Sequence, residues 1–250
     1  MTTTPGPAPE PQDGFDAVVL AGGRATRLGG VPKPTVVLDG ATLLDRALAA
    51  TRDAARTVVV GPDAAVPAGR DVLVAREDPP FGGPVAGLDA GLRALDRAHD
   101  RARSPHAAPT WVLVLAVDVP RAAEAVPLLR AAVAPAAAPA VEPAVEPAVE
   151  PAVEPAVDGA YLVRAGHAQW LVGAYRRDAL RRALAALSGP EGLTGLPVRR
   201  LVAGLACREV PDVDGVSADV DTWDDVRRLT VGLHDVSAVT ADTHRWGGHR

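Results

Sequence analysis

The stretch VVLAGGRATRLGGVPKPT, residues 18–35, sets two glycine pairs, two arginines and a lysine directly behind an apolar run. The run itself, FDAVVLA at 15–21, is short, almost unbroken and stops at Gly22, the pattern of a strand covered on both faces. The same pattern returns in RTVVVGP (56–62), in DVLVARED (71–78) and, at greatest length, in TWVLVLAVDVP (110–120), which ends in Asp118 and Pro120. TVVLDG (35–40) is a shorter extended piece closing on an Asp-Gly turn. TLLDRALAATRDA (42–54) and GPVAGLDAGLRALDRA (83–98) carry apolar residues at helical spacing, the first with Thr42 placed as its N-cap. Strands alternating with helices predict a three-layer α/β/α fold around a doubly wound, mostly parallel sheet, in which ligands bind beyond the carboxyl ends of the strands. Gly22 and Asp118 both fall at such ends.

Farther along, AYLVRAGHAQWLVGAYR (160–176) reads as two extended runs joined by a turn around Gly166, RDALRRALAAL (177–187) as a helix, GLPVRRLVAGL (195–205) as a short helix, CREV (207–210) as a last strand and DTWDDVRRL (221–229) as a closing helix. Residues 1–13 are rich in Pro and Thr with nothing to bury and predict a disordered leader; residues 232–250 predict a flexible tail. A single domain over 14–231 is interrupted at about 134–157, where proline stands at every fourth position from Pro135 to Pro155 in a Pro-Ala-Val-Glu repeat. Each interior proline would cost a helix roughly 3 kcal/mol, so the insert predicts a solvated, polyproline-like loop.

Composition narrows the function. With 48% apolar residues the 250-residue chain can bury a substantial core, built mostly from small branched side chains because only 3% are aromatic. A net charge of -5, from 31 acidic and 26 basic residues, argues against a nucleic-acid partner. One cysteine, Cys207, rules out an internal disulfide and a cysteine-rich metal site and fits a reducing, cytoplasmic setting. No apolar run reaches the roughly 20 residues that cross a bilayer, and the amino terminus lacks the features of a signal peptide, so neither membrane insertion nor secretion is expected. The histidines match no zinc template: His99 and His106 read as members of a polar loop, His234, His244 and His249 lie in the tail, and His167 sits in the turn near the later strands.

A strand opening into Gly22 and Gly23 lets backbone N–H groups approach a ligand with no Cβ in the way, which suits phosphate oxygens, while Arg24, Arg27 and Lys33 add mobile positive charge. The loop is not a Walker A motif, because Pro32 rather than glycine precedes Lys33, and not the dinucleotide fingerprint, because Arg24 stands where a second glycine would be. Taken alone it also reads as a charged surface turn. Asp118 is placed to hold Mg²⁺ against phosphates gripped by that loop, or to serve as a turn or capping residue. In SADVDTWDD (217–225), Asp219 and Asp221 alternate on an extended segment and point the same way; they complete a metal site, or Asp221 or Thr222 caps the helix that begins near Trp223.

Four blocks in order carry a resemblance. LAGGRATRLGGVPKP resembles the signature of the MobA-like nucleotidyltransferases; EDPPFGGPVAGLDAGL, AVDVP and ADVDT are similar to the family's later Gly-Pro-Leu-Ala-Gly, aspartate and Asn-Val-Asn-Thr blocks. The resemblance spans about 15–230 and implies a Rossmann-like nucleotidyltransferase fold, with Leu20, Ala21, Gly22 and Gly23 at the base and sugar, Arg27 and Lys33 on the triphosphate, Asp78 and Gly83 framing the nucleotide, and Mg²⁺ on Asp118 with Asp219 or Asp221. Within the family the likeness is greatest to members that join GTP to molybdopterin with loss of pyrophosphate, which implies those two partners and a transient contact with proteins that mature molybdoenzymes. HAQWLVGAYR lies where the family shapes its acceptor site, making Gln169 and Trp170 acceptor candidates, although Trp170 also reads as core. Pro32 replaces the aspartate usual before the lysine, and aspartates stand for the C-terminal asparagines. Two rival expectations follow: a cytidylyl- or sugar-phosphate nucleotidyltransferase of the same fold, and a non-catalytic nucleotide-binding adaptor in molybdoenzyme maturation.

Overall fold

The computed structural model describes residues 14–23, 26–61, 66, 69, 71–102, 108–134, 157–189 and 192–230. The leader, the Pro-Ala-Val-Glu repeat apart from its end residues, His106 and the tail lie outside the described residues. Among the described residues nine strands form: β1 (Phe15–Leu20), β2 (Val37–Leu38), β3 (Ala41–Thr42), β4 (Thr57–Val60), β5 (Leu73–Ala75), β6 (Trp111–Ala116), β7 (Gly159–Arg164), β8 (His167–Arg176) and β9 (Cys207–Pro211). The helices are α1 (Leu43–Ala50), α2 (Pro84–Ala102), α3 (Ala122–Val133), α4 (Arg177–Leu187), α5 (Val198–Val202) and α6, over 223–230.

Seven strands make one sheet in the order β5-β4-β1-β6-β8-β7-β9. The strands from β5 to β6 run parallel, β8 lies antiparallel to both β6 and β7, and β9 returns to parallel pairing with β7. Helices cover both faces. Val85, Leu88, Leu92 and Leu95 of α2 pack with Leu180 and Leu184 of α4 and Leu201 of α5 against Val18, Val60, Val112 and Val114. On the opposite face α3 packs on Leu113 and Leu115, and α1 packs on Val19 and Val59. The doubly wound, three-layer architecture is therefore the one predicted. α1 begins as expected at Thr42, whose hydroxyl accepts from the Asp45 N–H while the Asp45 carboxylate accepts from the Thr42 N–H, a capping box. The β7–β8 turn uses Ala165 and Gly166, both with positive φ (49 and 76°), the conformation of a two-residue hairpin that matches strand twist.

Two elements differ from expectation. α3 has no counterpart in the sequence reading, because its Ala-rich stretch carries Pro127 in the second turn; its buried face of Ala122, Ala125, Val126 and Leu129 outweighs the one lost donor. His99 belongs to the last turn of α2 rather than a polar loop, and its Nε2 lies 2.6 Å from Asp16 Oδ2. Asp16 is fully buried in β1 and is also held by the Arg177 guanidinium, which in turn donates to Asp96 at 2.9 Å and to the Pro109 carbonyl at 3.1 Å. This network fastens α2 and α4 to the amino end of β1. Half-buried Cys207 has its thiol pushed up to about 11 by burial and the nearby Asp158 charge. Among the described residues no helix is long and apolar enough to cross a membrane.

Candidate active site

The carboxyl ends of the four parallel strands are level: Leu20 pairs with Val60 and with Ala116, and Val60 with Ala75. Connections leave β1 toward β4 and β5, then return by α2 to β6, so the sheet reverses its order between β1 and β6. A cavity of about 340 Å³ opens at that point, bounded by Leu20, Gly22, Gly23, Glu77, Phe81, Gly83, Ala116, Asp118 and Leu171 among others. Gly22, Glu77 and Asp118 each stand two residues past an aligned strand end, and all three line this cavity. Gly23 has φ 128°, and a Cβ built on it meets nothing within 4 Å, so glycine is needed there for backbone conformation and leaves the space above open. Phe81, also at positive φ (63°) and 56% exposed, is fastened by its N–H donating to Glu77 Oε1 at 3.1 Å.

Lys33 occupies a 3-10 turn (Lys33–Thr35) between Pro32 and buried Pro34, two rings that restrict the backbone on either side. Its ammonium donates to Asp118 Oδ2 at 2.6 Å and to Asp221 Oδ1 at 2.5 Å. Arg27, with its side chain 74% exposed, donates from NH1 to the other Asp221 oxygen at 3.1 Å. Burial opposes the charge on Lys33, but the Asp118 charge and the hydrogen bonds to both carboxylates overcome it and raise the amine above its ordinary range. The Asp118 carboxyl also lies above its usual range despite its lysine partner, because burial, reinforced by Asp219 and Asp221, outweighs the attraction of Lys33.

Asp221 reaches this point through local chemistry. The Val220 N–H donates to the Asp118 carbonyl at 2.8 Å, laying the late segment against the end of β6. Upstream, the Asp212 carboxylate gathers the Val216 N–H, the Ser217 N–H and the Ser217 hydroxyl at 2.8, 2.9 and 2.5 Å, which fixes the loop leading in. Thr222 and Asp225 cap α6 reciprocally, with Asp225 N–H donating to the Thr222 hydroxyl at 3.2 Å and Thr222 N–H to Asp225 at 2.8 Å. Capping thus falls to Thr222, and the Asp221 side chain is left to face the cations.

The structure therefore brings Arg27, Lys33, Asp118 and Asp221 together beside Leu20, Gly22, Gly23 and Gly83. Ala21 is buried, with its N–H donating to Val60, and Arg24 lies outside the described residues. Asp219 turns instead to Arg164 at 3.2 Å. Asp78 does not border the cavity; Glu77, which sequence reasoning passed over, does. The Gln169 amide donates to the His167 carbonyl at 3.1 Å, and Trp170 lines a second recess, while its neighbour Leu171 borders the cavity. Among the described residues no three or more His, Cys, Asp or Glu side chains are grouped to hold a metal ion. Two carboxylates converging on one cation position nevertheless suit Mg²⁺, which is commonly bound by one or two carboxylates together with substrate phosphates and water. Backbone N–H groups in an open glycine loop, an exposed arginine and this carboxylate–lysine cluster together suit a polyphosphate that carries a divalent cation.

A family model described as the MobA-like NTP transferase domain matches residues 17–208. Among curated proteins none matches this sequence. Similar solved structures include molybdopterin-guanine dinucleotide biosynthesis protein A from Archaeoglobus fulgidus, at 18% identity and TM-score 0.56, covering 88% of this chain and 99% of that one. A nucleotidyl transferase from Methanothermobacter superposes with TM-score 0.62 at 20% identity, covering 90% of this chain and all (100%) of the other. 2-C-methyl-D-erythritol 4-phosphate cytidylyltransferase from Thermus thermophilus gives TM-score 0.53 at 21% identity, covering 87% and 98%. At these identities the likeness is one of fold.

Proposed function

This chain belongs to the MobA-like NTP transferase family, and from that premise we propose that it transfers GMP from GTP to molybdopterin, releasing pyrophosphate. The observation that carries the reading is the Lys33 ammonium seated between Asp221 and Asp118, the latter a wall of the glycine-lined cavity. The acceptor phosphate, already anionic, attacks the α-phosphorus in line; a new P–O bond forms as the bond to the β-phosphate oxygen breaks, and pyrophosphate carries away the electron pair. No side chain needs to act as nucleophile or base, so the protein contributes position and charge. Gly22 and Gly23 present backbone N–H groups to the phosphates, Lys33 offsets charge growing on the α-phosphate, and the exposed Arg27 holds the departing phosphates. Asp118 and Asp221 are the residues that would hold Mg²⁺, which supplies neutralisation of the triphosphate when bound. In the ligand-free protein the Lys33 amine supplies the positive charge between those carboxylates; binding of the metal-loaded nucleotide would release it toward the phosphates.

The cytoplasm, where nucleoside triphosphate is plentiful, is the proposed setting, with a transient hand-over to molybdoenzyme maturation proteins. Pyrophosphate release measured with GTP, CTP, UTP and ATP, each with Mg²⁺ and molybdopterin, tests the reading. GTP should dominate; turnover with CTP and a polyol phosphate instead would assign the chain to the cytidylyl reading, and no release with any triphosphate would make it a binding protein.

A further inference from the structure

Asp219 puts a third carboxylate beside the centre, and the proposed reaction does not use it. Asp219 and Asp221 flank Val220, whose N–H donates to the Asp118 carbonyl at 2.8 Å. Burial raises the Asp118 carboxyl, and the Asp219 charge adds to that rise. Among the described residues, however, the Lys33 ammonium meets the carboxylates of Asp118 and Asp221 alone. Asp219 is engaged elsewhere, its Oδ1 accepting from the Arg164 guanidinium at 3.2 Å.

Arg164 ends β7, paired with His167 across the Ala165-Gly166 turn. The loop that delivers Asp221 is fastened at the same place, since the Asp212 N–H donates to the Val163 carbonyl at 2.9 Å. The Asp212 carboxyl, raised by burial, is brought below its usual range by hydrogen bonds from Ser217 and Val216 and by the Arg164 charge. One guanidinium thus acts on the acids at both ends of the 212–219 segment. A third carboxylate free to turn toward Asp118 would change the centre: cation affinity follows the number of charged ligands, whereas a site for a metal-loaded polyphosphate keeps positions for phosphate oxygens and water. We propose that Arg164 is a positioning residue that withholds Asp219 from the cation position, so that the empty centre prefers its own Lys33 amine and takes a divalent cation together with the nucleotide. This rests on the nucleotidyl-transfer reading and adds to it the residue that sets how the metal enters. The paired side chains are 36% and 47% exposed, so the bridge adds little to stability and its removal leaves the fold intact.

Mn²⁺ titrated into the nucleotide-free full chain, with the unbound ion read by its electron paramagnetic resonance signal, tests the assignment. Arg164→Gln should bind Mn²⁺ at least threefold more tightly than wild type, within the range that an exposed charge pair is worth. The same shift is expected of Arg164→Met. Arg164→Lys, which keeps a cation for Asp219, should stay near wild type, and Arg164→Gln/Asp219→Asn should lose the gain. A merely structural role for Arg164 predicts the opposite, a lower Tm with weaker metal binding. Unchanged or weaker Mn²⁺ binding in both the Gln and Met variants, or a gain that survives in the double variant, would overturn the assignment. Absence of Mg²⁺-GTP binding to a wild type whose Arg164 variants show the Mn²⁺ shift would instead overturn the nucleotidyl-transfer reading and leave the withholding of Asp219 in place.

Discussion

Replacing Lys33 with alanine should lower turnover and, at the same time, make the free protein more responsive to divalent cations. The ammonium lies 2.6 Å from Asp118 and 2.5 Å from Asp221, so it shields two carboxylates from each other. Their facing oxygens are at most about 5 Å apart, and at an effective dielectric of about 20 two unit charges at that distance repel by roughly 3 kcal/mol. The Asp221 side chain is 36% exposed, and solvent screening reduces the figure to about 1–2 kcal/mol. In a folded domain of this size that lowers Tm by roughly 2–8 °C. Millimolar Mg²⁺ should restore more of the loss in Lys33→Ala than it adds to the wild type, because a cation then fills a position no longer held by the amine. Turnover of GTP should fall by about 10²–10³, the scale of removing one preorganised electrostatic stabiliser. Differential scanning fluorimetry with and without Mg²⁺, alongside a pyrophosphate-release assay, reads both effects. Wild-type turnover in the variant would refute the role given to Lys33, and a Tm that ignores both the substitution and the metal would refute the charge argument.

Three further outcomes follow from packing and hydrogen bonding. A Cβ on Gly91 would sit 2.9 Å from Val18 Cγ1 and 3.0 Å from Val60 Cγ2. Gly91→Ala should therefore lose about 1–3 kcal/mol to overpacking, only partly offset by the roughly 1 kcal/mol that alanine adds to a helix; a urea midpoint at or above wild type would contradict the close approach of α2 to the sheet. Arg177→Met leaves fully buried Asp16 with His99 as its remaining side-chain partner and should cost about 3–5 kcal/mol. Turnover per folded molecule should be unchanged, since this network lies at the amino end of β1; a fall in kcat without loss of stability would show it reaches the site. At Asp212, burial alone would raise the pKa, but the bonds from Ser217 and Val216 hold the carboxyl below its usual range. Its contribution is thus fully present above the unfolded value of about 3.9 and is lost as pH falls through the depressed folded value. Asp212→Ala should destabilise by about 1–3 kcal/mol at pH 7 and by progressively less in urea titrations below pH 4; a deficit independent of pH would assign the effect to something other than the ionised carboxylate.

How legible the fold was depended on how much of each element's signal is local. β1, β4, β5 and β6 are apolar runs long enough to read directly, and the turns at Asp39-Gly40 and Ala165-Gly166 were marked by glycine. α3 was hidden because a proline and a run of alanines mask an apolar face whose partners, Leu113 and Leu115, lie on another element. The site shows the same division. Gly22, Lys33 and Asp118 stood out as residue types in telling places. The difference between Glu77 and Asp78, and between Asp219 and Asp221, is one of place relative to a strand end and of neighbours. Counting two residues past each aligned strand end selects Glu77, but only once the register is known. Asp219 and Asp221 share parity, and what separates them is Arg164, which lies 55 residues from Asp219 in the chain.

The Lys33–Asp221 contact joins residues 188 positions apart. A ribosome therefore finishes the glycine loop, the lysine and the end of β6 long before it makes the second carboxylate, and a nascent chain carries a half-built centre. Loss of the chain from any point between β9 and Asp221 onward would have the same result: a sheet with its strands in place and a lysine answering to one acid rather than two. On the proposed reading, the second carboxylate is thus the last part of the centre to be made and the first to be lost when the chain is shortened from its carboxyl end.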